Sequence, residues 1–340
     1  MTEANEQAVR RVAVLGAGSW GTALAMQLAR AGHSVPLWTW QQSHAEAMQA
    51  ERVNAEFLPD HPLADAIAPT ASIDEALHEC DHVLIVTPSH AFAETLERVM
   101  PFLTPEIGLA WATKGFEPNT GRLLSETARD AIPPDIPMAV VTGPSFAGEV
   151  AQGLPTAVTV GANDAEFGQC WASLLHGHSF RAYYTADLIG VQLGGAIKNV
   201  LAIGCGLADG LELGHNVRAA LITRGLAEMM RLGQAMGGEP RTLTGLAGLG
   251  DLVLTCTGDA SRNRRMGMAL GRGVSVDEAI AEIGQVVEGV NAAQEAMRAA
   301  ERYNVEMPIT EQVHGILYRG WNVAKGVRVL MEREQKAEND

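Results

Sequence analysis

Val12-Ala13-Val14-Leu15-Gly16-Ala17-Gly18-Ser19-Trp20-Gly21-Thr22-Ala23-Leu24-Ala25 is the stretch that decides the fold. Its first four residues read as a buried strand, and residues 22–30 read as a helix that stops at Gly32. Between them Gly16, Gly18 and Gly21 stand in GxGxxG spacing, with Ser19 and Trp20 completing the loop. A strand running in and a helix running out is the setting in which that spacing binds dinucleotide phosphates. Gly16 permits the tight turn, Gly18 lets the backbone approach a pyrophosphate, and Gly21 lets the helix lie close to its strand. A tight turn without a ligand is the plainer reading, and the flanking elements argue against it.

Apolar runs recur outward from this loop at residues 35–40, 82–86, 108–112, 138–141 and 156–160, with helical stretches between them; Pro36 weakens the edge of the second run. Alternation of this kind predicts an α/β, Rossmann-type domain with a mostly parallel sheet over residues 1–188. The pattern then changes. Helical segments follow one another at 187–208, 216–236, 261–271, 276–283, 291–303 and 310–319, so residues 189–340 are expected to form an all-α domain.

Composition narrows the functions available. Lys and Arg number 25 against 40 Asp and Glu, a formal charge of −15, which excludes nucleic acid and anionic lipid as main partners because both need a basic footprint. Cys80, Cys170, Cys205 and Cys256 form no CxxC pair and no disulfide framework, which points to a reducing cytoplasm. The first residues carry Glu3 and Glu6 and no apolar core, so no signal peptide is expected, and the apolar run 200–208 is too short for stable membrane insertion. The polar tail 332–340 is expected to fray.

An NAD-selective site carries an acid about 20 residues past its glycines, to bond the ribose 2′-hydroxyl. Residues 22–45 contain no acid, and Trp40 occupies the expected place, so NADP is admitted and NAD not excluded. Lys114 closes the run Trp111-Ala112-Thr113-Lys114-Gly115, at a strand end where ligands gather. Lys198 lies in an otherwise apolar helix, with Gly194 and Gly195 four and three residues before it on the same face. Each interior glycine costs about 1 kcal/mol, which suggests close approach by another backbone or a ligand. A lysine desolvated there would have a lowered pKa and suit proton transfer, whereas a snorkelling lysine over a packing interface is the structural alternative. The glycine-rich segment 245–250 leads to the carboxylate of Asp251. Ser261-Arg262-Asn263-Arg264-Arg265 is a local basic run suited to a phosphate, or else a solvated helix end. Residues 285–289, containing Val286 and Glu288, read as a connector with an exposed glutamate. His176 and His178 lack further ligands nearby, and no metal-binding or nucleophile motif appears, so no metal is expected.

Six segments together resemble bacterial NAD(P)-dependent glycerol-3-phosphate dehydrogenase: 16–25, 111–115, Gly143-Pro144-Ser145-Phe146-Ala147, 190–199, 245–255 and 261–265. The resemblance spans residues 10–320 and implies a Rossmann domain followed by a helical one. It implies reduction of dihydroxyacetone phosphate to sn-glycerol 3-phosphate for phospholipid synthesis, in the cytoplasm, by a homodimer. It implies Lys198 as the acid/base. Lys114, Gly143, Ser145, Asp251, Ser261, Arg262 and Asn263 would join Lys198 at the substrate. Gly16, Gly18, Ser19, Trp20, Gly21, Trp40, Lys114, Ala147, Arg262, Val286 and Glu288 would contact the cofactor. Trp40 departs from the basic residue often found at its position. Ketopantoate reductase and 3-hydroxyacid dehydrogenases share the plan but act on carboxylates, and the run 261–265 separates them if it holds phosphate. A catalytically silent dinucleotide sensor would have no use for Lys198, Asp251 and Arg262.

Overall fold

The computed structural model describes residues 9–332; the acidic start at Glu3 and Glu6 and the tail beyond residue 332 lie outside the described residues. The described chain divides into two compact units, residues 9–114 with 124–191 and residues 115–123 with 192–332.

The first unit runs β1 (Val12–Leu15), α1 (Ser19–Arg30), β2 (Val35–Trp38), α2 (Gln42–Glu51), β3 (Val53–Asn54), β4 (Leu58–Pro62), β5 (Ile67–Thr70), α3 (Ile73–Leu77), β6 (His82–Ile85) and α4 (Phe92–Val99). It continues with β7 (Leu109–Trp111), α5 (Leu124–Ala131), β8 (Met138–Thr142), α6 (Ala147–Gln152), β9 (Thr156–Ala162), α7 (Ala165–Leu175) and β10 (Phe180–Thr185). Eight strands form one sheet in the order β10-β9-β8-β7-β6-β1-β2-β5, with β3 and β4 as a separate antiparallel hairpin. Only the β8–β9 pairing in the sheet is antiparallel, so the expected α/β class with a mostly parallel sheet is the one found. Strands β1, β6, β7 and β8 are buried throughout, which is why they read as continuous apolar runs. Pro36 does not make β2 an edge: pairing to β1 includes Leu37 and Trp38, and β5 lies on the other side. The true edge is β5, where Pro69 is tolerated, and the opposite edge is β10.

The second unit contains α8 (Leu188–Gly210, from Gln192 onward), α9 (His215–Ala235), α10 (Pro240–Leu243), α11 (Asp251–Thr257), α12 (Arg262–Gly271), α13 (Val276–Ile283), α14 (Glu288–Tyr303), α15 (Pro308–Arg319) and α16 (Val323–Met331). Helix α8 is long and apolar enough to cross a membrane, yet 94% of its most apolar window is buried inside the protein. Its contact with α12 is made by backbone. A Cβ on Gly206 would lie 2.1 Å from the Arg264 carbonyl oxygen, and one on Gly267 would lie 2.1 Å from that of Ile203. Gly210 and Gly271 repeat the arrangement one turn on, at 2.4 Å from Met268 O and 2.6 Å from Leu207 O. Val200, Ile203, Leu207, Met266 and Leu270 continue the core beside this seam.

Residues 115–123 depart from the expected block 1–188. The buried Glu295 carboxylate of α14 accepts the N–H groups of Asn119 and Gly121, both at 2.9 Å, and a Cβ on Gly121 would lie 2.7 Å from Ala299 N. A second buried carboxylate, Glu228, accepts Ile309 N–H at 2.5 Å, Thr310 N–H at 3.1 Å and the Thr310 hydroxyl at 3.0 Å, holding the start of α15. Burial outweighs these donors and pushes its pKa up to about 7. The folded chain therefore binds more protons here than the unfolded one, and this contribution to stability grows as pH falls through 7. Relative to Glu228→Gln, the wild type is expected to gain Tm between pH 8 and pH 6. A constant difference across that range would contradict the assignment.

Candidate functional site

In the first unit, the positions singled out from sequence lie past the carboxyl ends of the strands. Strands β1, β2, β7 and β8 are mutually parallel through the order above, so the loop 16–21, Trp40, Lys114 and the 143–147 turn all follow carboxyl ends on the same side. Gly16 has φ +123°, and a Cβ there would lie 2.7 Å from Val86 C and O. A Cβ on Gly21 would lie 1.8 Å from the Gly16 oxygen. Packing accounts for both glycines. It does not account for Gly18, whose φ of −74° suits any residue and whose Cβ would meet nothing within 4 Å. The ordinary reason to keep this position bare lies outside the chain. Gly18→Val is accordingly expected to lower Tm only slightly, through the poorer N-cap it gives α1, while weakening NADPH binding about tenfold; equal affinity in a fluorescence titration would remove the argument.

Ser19 opens α1, and its hydroxyl donates to Phe57 O at 2.8 Å. Trp20 Nε1 is buried without a protein partner, and Lys114 Nζ sits 5.5 Å from the Trp20 ring centre. Trp40 is 75% exposed just beyond β2. Gly143 has φ +150°, with Val158 Cα 2.9 Å from where its Cβ would be. The Ser145 hydroxyl donates to Gly143 O at 2.9 Å and closes the turn into α6, whose first residue is Ala147.

In the second unit, Lys198 Nζ forms an ion pair and hydrogen bond with Asp251 Oδ1; their side chains are 8% and 1% exposed. Lys198 is buried in its apolar helix, as the sequence predicts, and the adjacent carboxylate of Asp251 balances its charge. The Thr255 hydroxyl donates to Asp251 O at 2.6 Å. Gly194 serves backbone approach, since its Cβ would lie 2.2 Å from Ala247 O. The 245–250 segment is a widened helical turn, with Gly250 N–H donating to Gly245 O at 3.0 Å, and it delivers Asp251 to the start of α11.

Next to Lys198 the sequence reading missed Asn199. Its Nδ2 donates to Glu288 Oε2 at 3.2 Å, and its Oδ1 accepts from Asn263 Nδ2 at 2.9 Å. Asn263 Oδ1 accepts Gly289 N–H at 2.9 Å. Glu288 is thus half-buried at the head of α14 rather than an exposed connector, while Val286 beside it is 51% exposed. The signal available was a second polar residue beside Lys198 in a helix otherwise apolar on both sides.

The basic run 261–265 separates into different roles. Arg264 is buried against Asp209 and Asp259, at 2.7 Å each, and Arg265 is exposed. Ser261 caps α12 by accepting Arg264 N–H at 3.2 Å. Arg262 is half-buried and donates to Gln285 Oε1 at 3.2 Å. The arginine cluster expected for a phosphate therefore reduces to Arg262, because Asp209 and Asp259 neutralise Arg264. His176 and His178 are exposed, the four cysteines are free, and no group of three or more metal-ligating side chains occurs among the described residues.

Residues 11–168 match the family model for the N-terminus of NAD-dependent glycerol-3-phosphate dehydrogenase, and residues 187–328 match that for its C-terminus. Glycerol-3-phosphate dehydrogenase [NAD(P)+] of Stenotrophomonas maltophilia is 54% identical over 328 residues, covering 96% of each chain. The enzyme of the same name from Xanthomonas euvesicatoria is 53% identical, again over 96% of each. The crystal structure of glycerol-3-phosphate dehydrogenase from Coxiella burnetii superposes with a TM-score of 0.92 at 47% identity, over 96% of this chain and 99% of that one. A ketopantoate reductase from Ralstonia eutropha, 18% identical with a TM-score of 0.59 over 93% of this chain and 99% of that one, shares the fold alone.

Proposed function

Because this chain belongs to the NAD-dependent glycerol-3-phosphate dehydrogenase family, we propose that it reduces dihydroxyacetone phosphate to sn-glycerol 3-phosphate, reversibly, with NADPH or NADH. The observation that carries the reading is the buried Lys198–Asp251 pair beside the Asn199–Asn263–Gly289 cluster, with Arg262 at the head of the same helix as Asn263. When bound, the nicotinamide dinucleotide supplies a hydride to the ketone carbon. The carbonyl electron pair then moves onto oxygen, and Lys198 Nζ stabilises and protonates that alkoxide, contributing about 10²–10⁴-fold in rate. Asp251 fixes the ammonium. Arg262 reads the phosphate, with Ser261 and Asn263 alongside and Lys114, Gly143 and Ser145 as further substrate contacts.

The bare face of Gly18 and the unpartnered Trp20 Nε1 suit a bound dinucleotide. Gly16, Ser19, Gly21, Trp40, Ala147, Val286 and Glu288 complete its contacts in this reading, and the lack of any acid in 22–45 favours accepting the 2′-phosphate. In this reading most cofactor contacts come from residues 1–188 and most substrate contacts from 189–340, with Lys114, Gly143 and Ser145 of the first also serving the substrate and Val286 and Glu288 of the second serving the cofactor. Four free cysteines support a cytoplasmic setting, the charge of −15 argues against nucleic acid, and the buried surface of α8 argues against membrane insertion. A homodimer and a role in supplying phospholipid backbones belong to the same proposal.

The test is nicotinamide absorbance with dihydroxyacetone phosphate, NADH and NADPH being run in parallel. Oxidation of neither would refute the reading. Arg262→Ala is expected to raise KM for dihydroxyacetone phosphate by about 10–100-fold, from loss of a charge-assisted partner worth about 1.5–3 kcal/mol. Unphosphorylated dihydroxyacetone should lose much less. Equal losses on both would take phosphate reading away from Arg262.

A further inference from the structure

The hairpin formed by β3 and β4 is unassigned by anything above, yet its first strand holds a fully buried amide against the glycine loop. Asn54 Nδ2 donates to Ala17 O and approaches Thr22 Oγ1, both at 2.8 Å. Its Oδ1 accepts Phe57 N–H at 3.2 Å and faces His44 Nε2 at 3.0 Å. The Ala17 carbonyl can only accept and the Phe57 amide can only donate, so the amide orientation is fixed. His44 Nε2 must therefore carry a hydrogen. On its other side His44 Nδ1 meets the Thr39 hydroxyl at 3.1 Å, one residue beyond β2. A polar chain thus runs from the end of β2 through His44 and Asn54 into the loop 16–21.

One peptide plane gives this chain a consequence. Ala17 C=O and Gly18 N–H belong to the same planar trans unit and point in opposite directions. Drawing the Ala17 oxygen inward to Asn54 turns the Gly18 N–H outward, at the residue where an added Cβ would meet nothing within 4 Å. A buried amide without such partners would be costly, and every partner here is in the loop, in α1 or in the segments bracing them. Phe57 O accepting from Ser19 Oγ at 2.8 Å ties the same hairpin to the next loop residue.

We propose that Asn54, held by His44, is a positioning residue for dinucleotide binding, fixing the Ala17–Gly18 peptide so that the Gly18 N–H faces the ligand phosphates. It rests on the reading of 16–21 as a dinucleotide loop. Asn54→Asp keeps the shape and removes the donors, setting a carboxylate oxygen against the Ala17 carbonyl. NADPH and NADH fluorescence titrations should both show Kd raised about tenfold, with kcat at saturating dinucleotide and KM for dihydroxyacetone phosphate within about twofold of wild type. His44→Leu should weaken both nucleotides several-fold. His44→Gln, whose amide can again donate to Asn54 Oδ1, should recover most of that loss. The His44 pair decides the matter if Asn54→Asp does not fold. A lowered Tm with unchanged Kd in folded variants would overturn the proposal and leave Asn54 a purely structural amide. Failure of the wild type to bind either nucleotide would instead strike the reading of the loop, and the proposal with it.

Discussion

Lys198→Met is expected to lower turnover by at least about 10²-fold, because the developing alkoxide loses both its acid and its nearest cation. Methionine preserves the length and apolar stem, so the face of α8 that meets Ala247 through Gly194 keeps its shape. The substitution also removes the charge of Lys198 from beside the buried Asp251, 1% exposed, and breaking a buried pair in this way typically costs about 3–5 kcal/mol. Loss of activity alone would therefore be ambiguous. Lys198→Met/Asp251→Asn resolves it: removing the buried carboxylate charge as well should restore much of the lost Tm while turnover stays down. Steady-state assays below the unfolding transition, with unfolding curves for all three proteins, make the comparison. Near-normal kcat in a folded Lys198→Met protein would move the acid/base role to Lys114.

Gly267→Ala is expected to cost about 3 kcal/mol or more, far above the ordinary effect of adding one methyl to a helix. The new Cβ would stand 2.1 Å from Ile203 O and 2.8 Å from Leu207 N, and both are backbone atoms of α8 that cannot rotate away. The helices must separate, and the surrounding packing of Val200, Met266 and Leu270 opens with them. Gly148→Ala is the control: it is also in a helix, but its Cβ would meet nothing within 4 Å, so stability should hold or rise slightly. Combining Gly267→Ala with Gly206→Ala should cost less than the sum, because helices already forced apart accept the second methyl more readily. Denaturant unfolding measures all four. A Gly267→Ala curve matching wild type would mean the seam is looser than its distances imply.

The α/β half was legible where strands are buried on both faces. β1, β6, β7 and β8 are such strands and announce themselves as apolar runs. β10 does not stand out in the sequence because Phe180-Arg181-Ala182-Tyr183-Tyr184-Thr185 lies at the sheet edge with Tyr183 56% exposed, nor does β5, which Pro69 interrupts. The hairpin β3–β4 gave no alternation to read, and α16 lay beyond the last periodic segment recognised. Among site residues, Lys198 stands out as a charge in an apolar helix and Asp251 is the carboxylate expected to balance it; the direct bond between them, across 53 positions, is what the fold supplies. Arg264 shows the opposite failure. Its charge looked available until Asp209 and Asp259, one of them 55 positions away, claimed it.

The glycines between α8 and α12 bear on how this enzyme could be re-engineered. Lys198 rides on one helix and Arg262 opens the other, so the reach between the proposed proton donor and the proposed phosphate grip is ruled by main chain lying on main chain. No rotamer change can lengthen that reach, and every mutation at positions 206, 210, 267 or 271 adds atoms. A library of variants selected on a longer phosphorylated ketone should leave these four positions untouched and find its gains in the residues around them. A rescaled substrate span would instead require a segment transplanted whole, with both helices exchanged together.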